Sequence, residues 1–373
     1  MNSRVRGIIS VIPADDGGSG HYVPYAVAVG QAAQLNGWRH LGLVPKTIPR
    51  ERIPAHWKNR LATWDETQPA RFSKPLKFLR MAISLRSALS DLLTQANVVV
   101  LDPFSVLKLA ALWLALLTLP RRECIVCLIY RYDSDTSRGE LLAFRWLNRA
   151  FAIMMPNGRF LTLTDSEPLR LFLSEKFSRP VHVLPIPHTF AAVRKSAPAS
   201  LNCCWWPGKP LENKGRAVLA QLVVAAVPHA ESFVLRAARS AGWQAVAGGP
   251  AIELLPDRLT EEQYAAEMAR ADFILLPYAP AVYRRRTSGI FVEAVVAGKI
   301  PIVSAGTWAA SELERHGLLE LAWVDWNPLT TFTRLLAIRH NADLACRLQA
   351  LRERYAAEHS ISGYAATLKH LLT

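Results

Sequence analysis

Three consecutive cations, Arg284, Arg285 and Arg286, stand just before Ser288 and Gly289, and an apolar run with a single acid, Glu293, follows them. The residues IFVEAVVAGKIPIV predict a buried helix from Ser288 to Ala297, with Ser288 as N-cap, Gly298 as stop and a strand after it. Free amide groups and the dipole at such a helix start favour an anion, and Gly289 lets a ligand approach the backbone closely. Cations at that end have the wrong sign by up to about 1 kcal/mol unless an anion sits between them and the helix. The chemistry this pattern predicts is the binding of a phosphate-bearing ligand. Glu293 needs partners if its helix is buried nearly all round. Ribose hydroxyls one turn along from a bound diphosphate would supply them, and so would an ion pair with one of the arginines or Lys299.

Other candidates lie in the first half. The loop Gly17–Gly20, with Gly18 inside it, follows a strand and opens a helix, where a phosphate or sugar can approach. Simple turn chemistry explains it equally, since it is neither a full dinucleotide fingerprint nor a P-loop. His21 beside it is suited to act as a base or to hydrogen-bond an acceptor, or is a helix-start residue without a chemical role. Arg131, Asp133 and Asp135 follow the strand CIVCLIY, at the strand end where α/β sites lie. The aspartates would orient an acceptor hydroxyl or cap the next helix. Asp165, Ser166 and Glu167 read first as helix-start residues.

The elements that must position these residues alternate along the chain. Strands RGIISVIP, HLGLVP, NVVVLDPF, CIVCLIY, FLTLTD and VHVLP alternate with helices, and after a proline-rich interval CCWW, DFILLPY and IPIV do the same. Short apolar strands between helices predict parallel sheets covered on both faces. The expected fold class is α/β, two doubly wound Rossmann-like domains facing a central cleft. The expected boundaries are 1–190, a hinge at 191–202, a second domain at 203–355 and a carboxyl-terminal helix at 356–373 packing back toward the first domain. Residues 46–80 read as a polar interval rich in Pro, Arg and Lys.

With 373 residues, half of them hydrophobic, the chain can bury two cores, and its formal charge of +14 favours anionic partners. Residues 50–86 hold nine Lys or Arg against three acids, with Trp57, Trp64, Phe72 and Phe78 among them. That composition fits a solvated insertion or a contact with an anionic membrane surface. Nucleic acid is not expected, because no recognition module is present. The five cysteines make no zinc quartet or disulfide framework and read as buried reduced thiols, which suits a cytoplasmic protein. No secretory signal pattern opens the chain. The run VLKLAALWLALLTL at 106–119 falls short of the ~20 residues of a span and reads as a buried crossover helix.

The second half resembles a known family. The segment EAVVAGKIPIV, from Glu293 and Ala294 through Gly298 to Pro301, is similar to the donor-binding helix of group 1 glycosyltransferases with the GT-B fold. The loop WWPGKPLENKG is similar to that family's glycine- and lysine-bearing loop, matching Gly208, Lys209, Lys214 and Gly215, and ADDGGSGHY is similar to its amino-terminal glycine-rich loop. The resemblance implies a transferase moving a sugar from a nucleoside-diphosphate-sugar to a glycan or lipid-linked acceptor in cell-surface polysaccharide or glycoconjugate synthesis, with retention of configuration. It implies that Glu293 holds the ribose, that the Ser288–Gly289 backbone meets the diphosphate, and that Lys209 and Lys214 neutralise it; the charge reading of the helix start adds Arg285 and Arg286 to the same ligand. No metal or other cofactor is expected. Two positions depart from the family pattern: Arg285 stands where a second glutamate is usual, and Arg131 and Asp133 stand where a histidine is common. The second reading is a non-catalytic GT-B-like protein that docks on a membrane or an acidic partner.

Overall fold

The structure, a computed structural model, describes residues 5–13, 22–62, 74–102, 104–119, 124–131, 137–187 and 202–373. The chain divides into two compact units, Met1–Thr189 with Ser360–Thr373, and Phe190–His359.

The first unit holds seven strands: β1 (Gly7–Val11), β2 (Arg39–Pro45), β3 (Lys58–Leu61), β4 (Val98–Leu101), β5 (Ile125–Tyr130), β6 (Phe160–Thr164) and β7 (His182–Val183). Their order is β3-β2-β1-β4-β5-β6-β7 and every pairing is parallel. A parallel strand covered on both faces must be apolar at every position. Along β5, Val126, Leu128 and Tyr130 enter one core while Ile125, Cys127 and Ile129 enter the other. Cys124 and Cys127 therefore lie on opposite faces of the sheet, and the C-x-x-C spacing makes no pair. Four of the cysteines are buried and free; Cys346 is exposed, contrary to the expectation for all five.

The second unit holds β8 (Asn202–Trp206), β9 (Phe233–Ala238), β10 (Ala251–Leu255), β11 (Phe273–Leu276), β12 (Ile300–Ser304) and β13 (Ala322–Trp323). Their order, β10-β9-β8-β11-β12-β13, is again parallel throughout. Numbered within each unit, both sheets share the order 3-2-1-4-5-6, so the chain reverses its winding at β1/β4 and at β8/β11. Open α/β sheets bind ligands outside the carboxyl ends of the strands at such a reversal.

Several local expectations hold. Ser288 N-caps the helix Gly289–Val296, its hydroxyl accepting from the Phe291 amide at 3.3 Å, and Gly298 follows at φ +70°. Thr260 and Gln263 close a capping box on the helix Glu261–Arg270. The interval 46–80 differs from its polar reading. It contributes the edge strand β3 and the start of a long helix, Lys74–Leu92. Trp57 is core: its ring lies against Gly42 of β2, where even a methyl group would overlap it. Trp64 and Phe72 lie outside the described residues. Among the described residues no helix is long and apolar enough to cross a membrane.

Candidate functional site

Strand β8 organises the site in the second unit. Adjacent residues of a strand face opposite sides, so Trp205 and Trp206 are buried against different partners. Trp206 stacks on Trp243, ring centroids 5.6 Å apart, and its indole N–H donates to the Lys214 carbonyl at 3.2 Å. Trp205 packs edge-on to Tyr264 at 5.0 Å, and the Tyr264 hydroxyl donates to Glu293 Oε2 at 2.9 Å. One indole thus fixes the lysine loop, and the other backs the tyrosine that holds the acid.

The lysine loop leaves β8 through Gly208 and turns at Gly215, both at φ +88°, where an L side chain is strained. At Gly215 a Cβ would also lie 2.3 Å from the Pro277 carbonyl oxygen, so this loop and the loop after β11 pack without a gap. The Ala279 amide donates to the Asn213 carbonyl at 2.9 Å and joins them further. A Cβ at Gly208 would stand 3.5 Å from Lys214 Nζ and 3.8 Å from Ile290 in the first turn of Gly289–Val296. The Lys214 ammonium, the Gly208 backbone and the helix start are therefore neighbours.

The charges at this point are unbalanced. Burial lowers the Lys214 pKa, and the charges of Arg286 and Lys209 lower it further. The Arg286 guanidinium lies 5.4 Å from the centre of the Tyr283 ring, which rests on Tyr278. Tyr278 in turn hydrogen-bonds Ser288. Lys209 is exposed, Arg285 and Arg286 are half-buried, and Arg284 is exposed. Of the expected donor-side residues, Gly208, Lys209, Lys214, Arg286, Ser288, Gly289 and Glu293 belong to one constellation at the β8/β11 switch point. Arg285 lies in the same loop and is half-buried.

Glu293 sits one turn inside the helix, with Oε1 3.9 Å from where a Gly289 Cβ would lie. Burial raises its carboxyl from 4.5 to about 7, against the Tyr264 hydrogen bond, which lowers it. The group is half-buried by area, so its carboxyl is set deep while part of the residue stays open. Lys299, offered as an ion-pair partner, donates instead to the Ala269 carbonyl at 2.6 Å. Tyr264 was not singled out from the sequence. Its place four residues after the cap Thr260 would fit any amphipathic helix, and its contact with an acid 29 residues later is set by the crossover alone.

The first unit has a charged cluster at the ends of adjacent strands. Arg131, after β5, donates through Nε and Nη2 to Asp102, after β4, at 2.6–3.0 Å, and through Nη1 to Asp165, after β6, at 3.2 Å. Burial opposes the guanidinium charge, but the two carboxylates and Tyr25 hold it. Tyr25 lies under the guanidinium at 4.3 Å and hydrogen-bonds Tyr364 from the helix Ile361–Leu372. Arg131 is thus bound on two sides by carboxylates, and in this structure it holds three strand ends together. Ser166 caps the helix Glu167–Phe177, as its position implied, while Asp165 turns to Arg131. Asp102 carries the same strand-end signal as Asp133 and was passed over. Gly18, His21, Asp133 and Asp135 lie outside the described residues.

No protein-family model and no curated protein sequence matches this chain. Solved structures do match it over nearly its full length. A glycosyltransferase from Rickettsia africae superposes with a TM-score of 0.66 at 12% identity, covering 99% of this chain and 98% of that one. Anabaena Alr3699/HepE in complex with UDP and glucose gives 0.64 at 13%, covering 98% and 99%. The N-terminal domain of Candida albicans trehalose-6-phosphate phosphatase gives 0.66 at 10%, covering 98% and 96%. The fold is GT-B. Identity this low shows the fold alone, so any activity must be argued from the site.

Proposed function

We propose that the protein is a glycosyltransferase that takes a sugar from a nucleoside-diphosphate-sugar and passes it to a glycan or lipid-linked acceptor bound by the amino-terminal unit. What carries this reading is the convergence at the β8/β11 switch point. The Lys214 ammonium and Ile290 in the first turn of Gly289–Val296 both lie beside Gly208, Arg286 and Lys209 add like charge, and Glu293 stands one turn further in. Cations crowded at a positive helix end are relieved by a diphosphate, and a carboxylate one turn on suits vicinal ribose hydroxyls. The complex of Alr3699/HepE with UDP and glucose shows that this fold seats such ligands in that protein.

In the reaction the bond from the anomeric carbon to the diphosphate oxygen breaks, the acceptor oxygen bonds to that carbon, and the acceptor hydroxyl gives its proton to the departing diphosphate. Negative charge gathers on the leaving diphosphate, where Lys214, Lys209 and the helix amides would stabilise it more than in the ground state. We assign that neutralisation to side-chain cations and helix amides, with no metal ion or other cofactor. Retention of configuration, a cytoplasmic site of action and a role in polysaccharide or glycoconjugate synthesis complete the proposal. Arg285, at the position where the resembled family has a second glutamate, favours the alternative of a GT-B-like binding protein without turnover. Incubation with radiolabelled nucleotide sugars separates the two. Release of free sugar or nucleoside diphosphate supports the enzyme, whereas saturable binding with no release supports the binding protein.

A further inference from the structure

The first unit carries a further surface of definite chemistry. The helices Lys74–Leu92, Val106–Leu117 and Arg138–Met154 pack side by side over one face of its sheet. A helix on such a layer should present polar residues outward. These do not. On the first, Leu76, Leu79 and Ile83 recur at helical spacing on the outward side, with Ile83 58% exposed. The middle helix shows Leu107 and Leu117 to solvent, and its one charged residue, Lys108, is buried. On the third, Leu142, Trp146 and Ile153 are 64%, 60% and 74% exposed. Trp146 meets half-buried Trp113 of the middle helix edge-on at 5.9 Å, so the apolar surface crosses from one helix to the next.

The exposed charges around it are mostly positive. Exposed Arg80, Arg86, Arg145 and Arg149 lie on the flanking helices among these apolar residues. The two acids of those helices are already engaged: Glu140 closes the capping box on Ser137, and Asp91 pairs with Arg60 at 2.9 Å. An apolar sheet of leucine, isoleucine and tryptophan within a rim of arginines matches the interface of an anionic bilayer, with chains below and phosphate headgroups at the rim. A second copy of this chain would bring arginine against arginine at such a face. We propose that this three-helix face docks on an anionic lipid surface. The proposal does not depend on sugar transfer and places the contact on helices Lys74–Leu92, Val106–Leu117 and Arg138–Met154, with Trp57 in the core.

Co-sedimentation with vesicles tests it, comparing pure phosphatidylcholine with an equal mixture of phosphatidylcholine and phosphatidylglycerol. The full chain should bind the mixed vesicles, release them as salt is raised, and ignore the neutral ones. Each basic residue near such a surface is worth roughly fivefold in partitioning, so R145E/R149E should weaken binding by about 30-fold or more. L142S/W146S/I153S should weaken it by at least tenfold while binding a nucleotide as the parent does, because these side chains face solvent and do not support the fold. Failure of the parent chain to bind anionic vesicles overturns the proposal, as does unchanged binding by both variants. A concentration-dependent dimer in sedimentation that the triple variant abolishes would assign the face to a second copy instead.

Discussion

Replacing Glu293 by Gln should move stability and ligand binding in opposite directions. A carboxyl raised from 4.5 to about 7 is ionised at pH 8 at a cost to the folded state of about 3 kcal/mol, taking ~1.4 kcal/mol per tenfold. Part of the residue stays open to solvent, which reduces the figure to about 1–3 kcal/mol. The sign follows from linkage. The folded state binds the proton more tightly than the unfolded chain, so the parent protein loses stability as pH rises from 4.5 through 7. Glutamine keeps an oxygen for the Tyr264 hydroxyl and carries no charge, so Glu293→Gln should raise the melting temperature by roughly 3–8 °C at pH 8. The gain should vanish toward pH 4.5, where the parent is protonated. His40, lowered to about 4 mainly by burial, makes stability rise with pH over the same range. The quantity to measure is therefore the difference between variant and parent by calorimetry across pH. Binding should go the other way. Exchanging carboxylate for amide against ribose hydroxyls weakens charge-assisted hydrogen bonds worth about 1.5–3 kcal/mol, or about 10- to 150-fold in Kd. A variant that melts lower at pH 8, or binds nucleotide as the parent does, would refute the assignment.

Three further outcomes follow from the same geometry. Lys214→Met should stabilise the unliganded protein by removing a half-buried charge pressed by Arg286 and Lys209, yet weaken binding of a nucleoside diphosphate about 10- to 100-fold; thermal melts with and without ligand read both. Gly215→Ala meets positive φ and the Pro277 carbonyl together and should destabilise the second unit by at least about 2 kcal/mol, measured by urea unfolding followed through the tryptophans, whereas Gly208→Ala, with its nearest neighbour at 3.5 Å, should lose less. Arg131→Ala leaves Asp102 and Asp165 without their cation and should lower stability by about 3–5 kcal/mol; a melt unchanged from the parent would show that the guanidinium does not hold the strand ends.

What the sequence made legible was whatever a short window contains. Ser288 and Gly298 mark their helix because caps are local chemistry, and the clash of three arginines with a helix start needs only six residues. Alternating apolar runs announced parallel sheets because strands covered on both faces have no polar side to display. Contacts made by crossovers were not legible. Tyr264 reaches Glu293, and Asp102 and Asp165 reach Arg131, only because strands far apart in sequence are neighbours in a sheet. Trp57 read as surface because its neighbours are polar, and only the space above Gly42 on the adjacent strand shows where the ring goes. The exposed apolar helices of the first unit were masked for a related reason. Leucine-rich amphipathic helices read as core, and periodicity does not say which positions the sheet covers.

The central claim is that a diphosphate belongs between Lys214 and the first turn of Gly289–Val296. A crystal structure with a bound nucleoside diphosphate tests it most directly. The account predicts phosphate oxygens on the Lys214 ammonium and the Gly289 amide, with the ribose hydroxyls on Glu293. Phosphates seated elsewhere, with Lys214 and the helix start unchanged and bare, would contradict it.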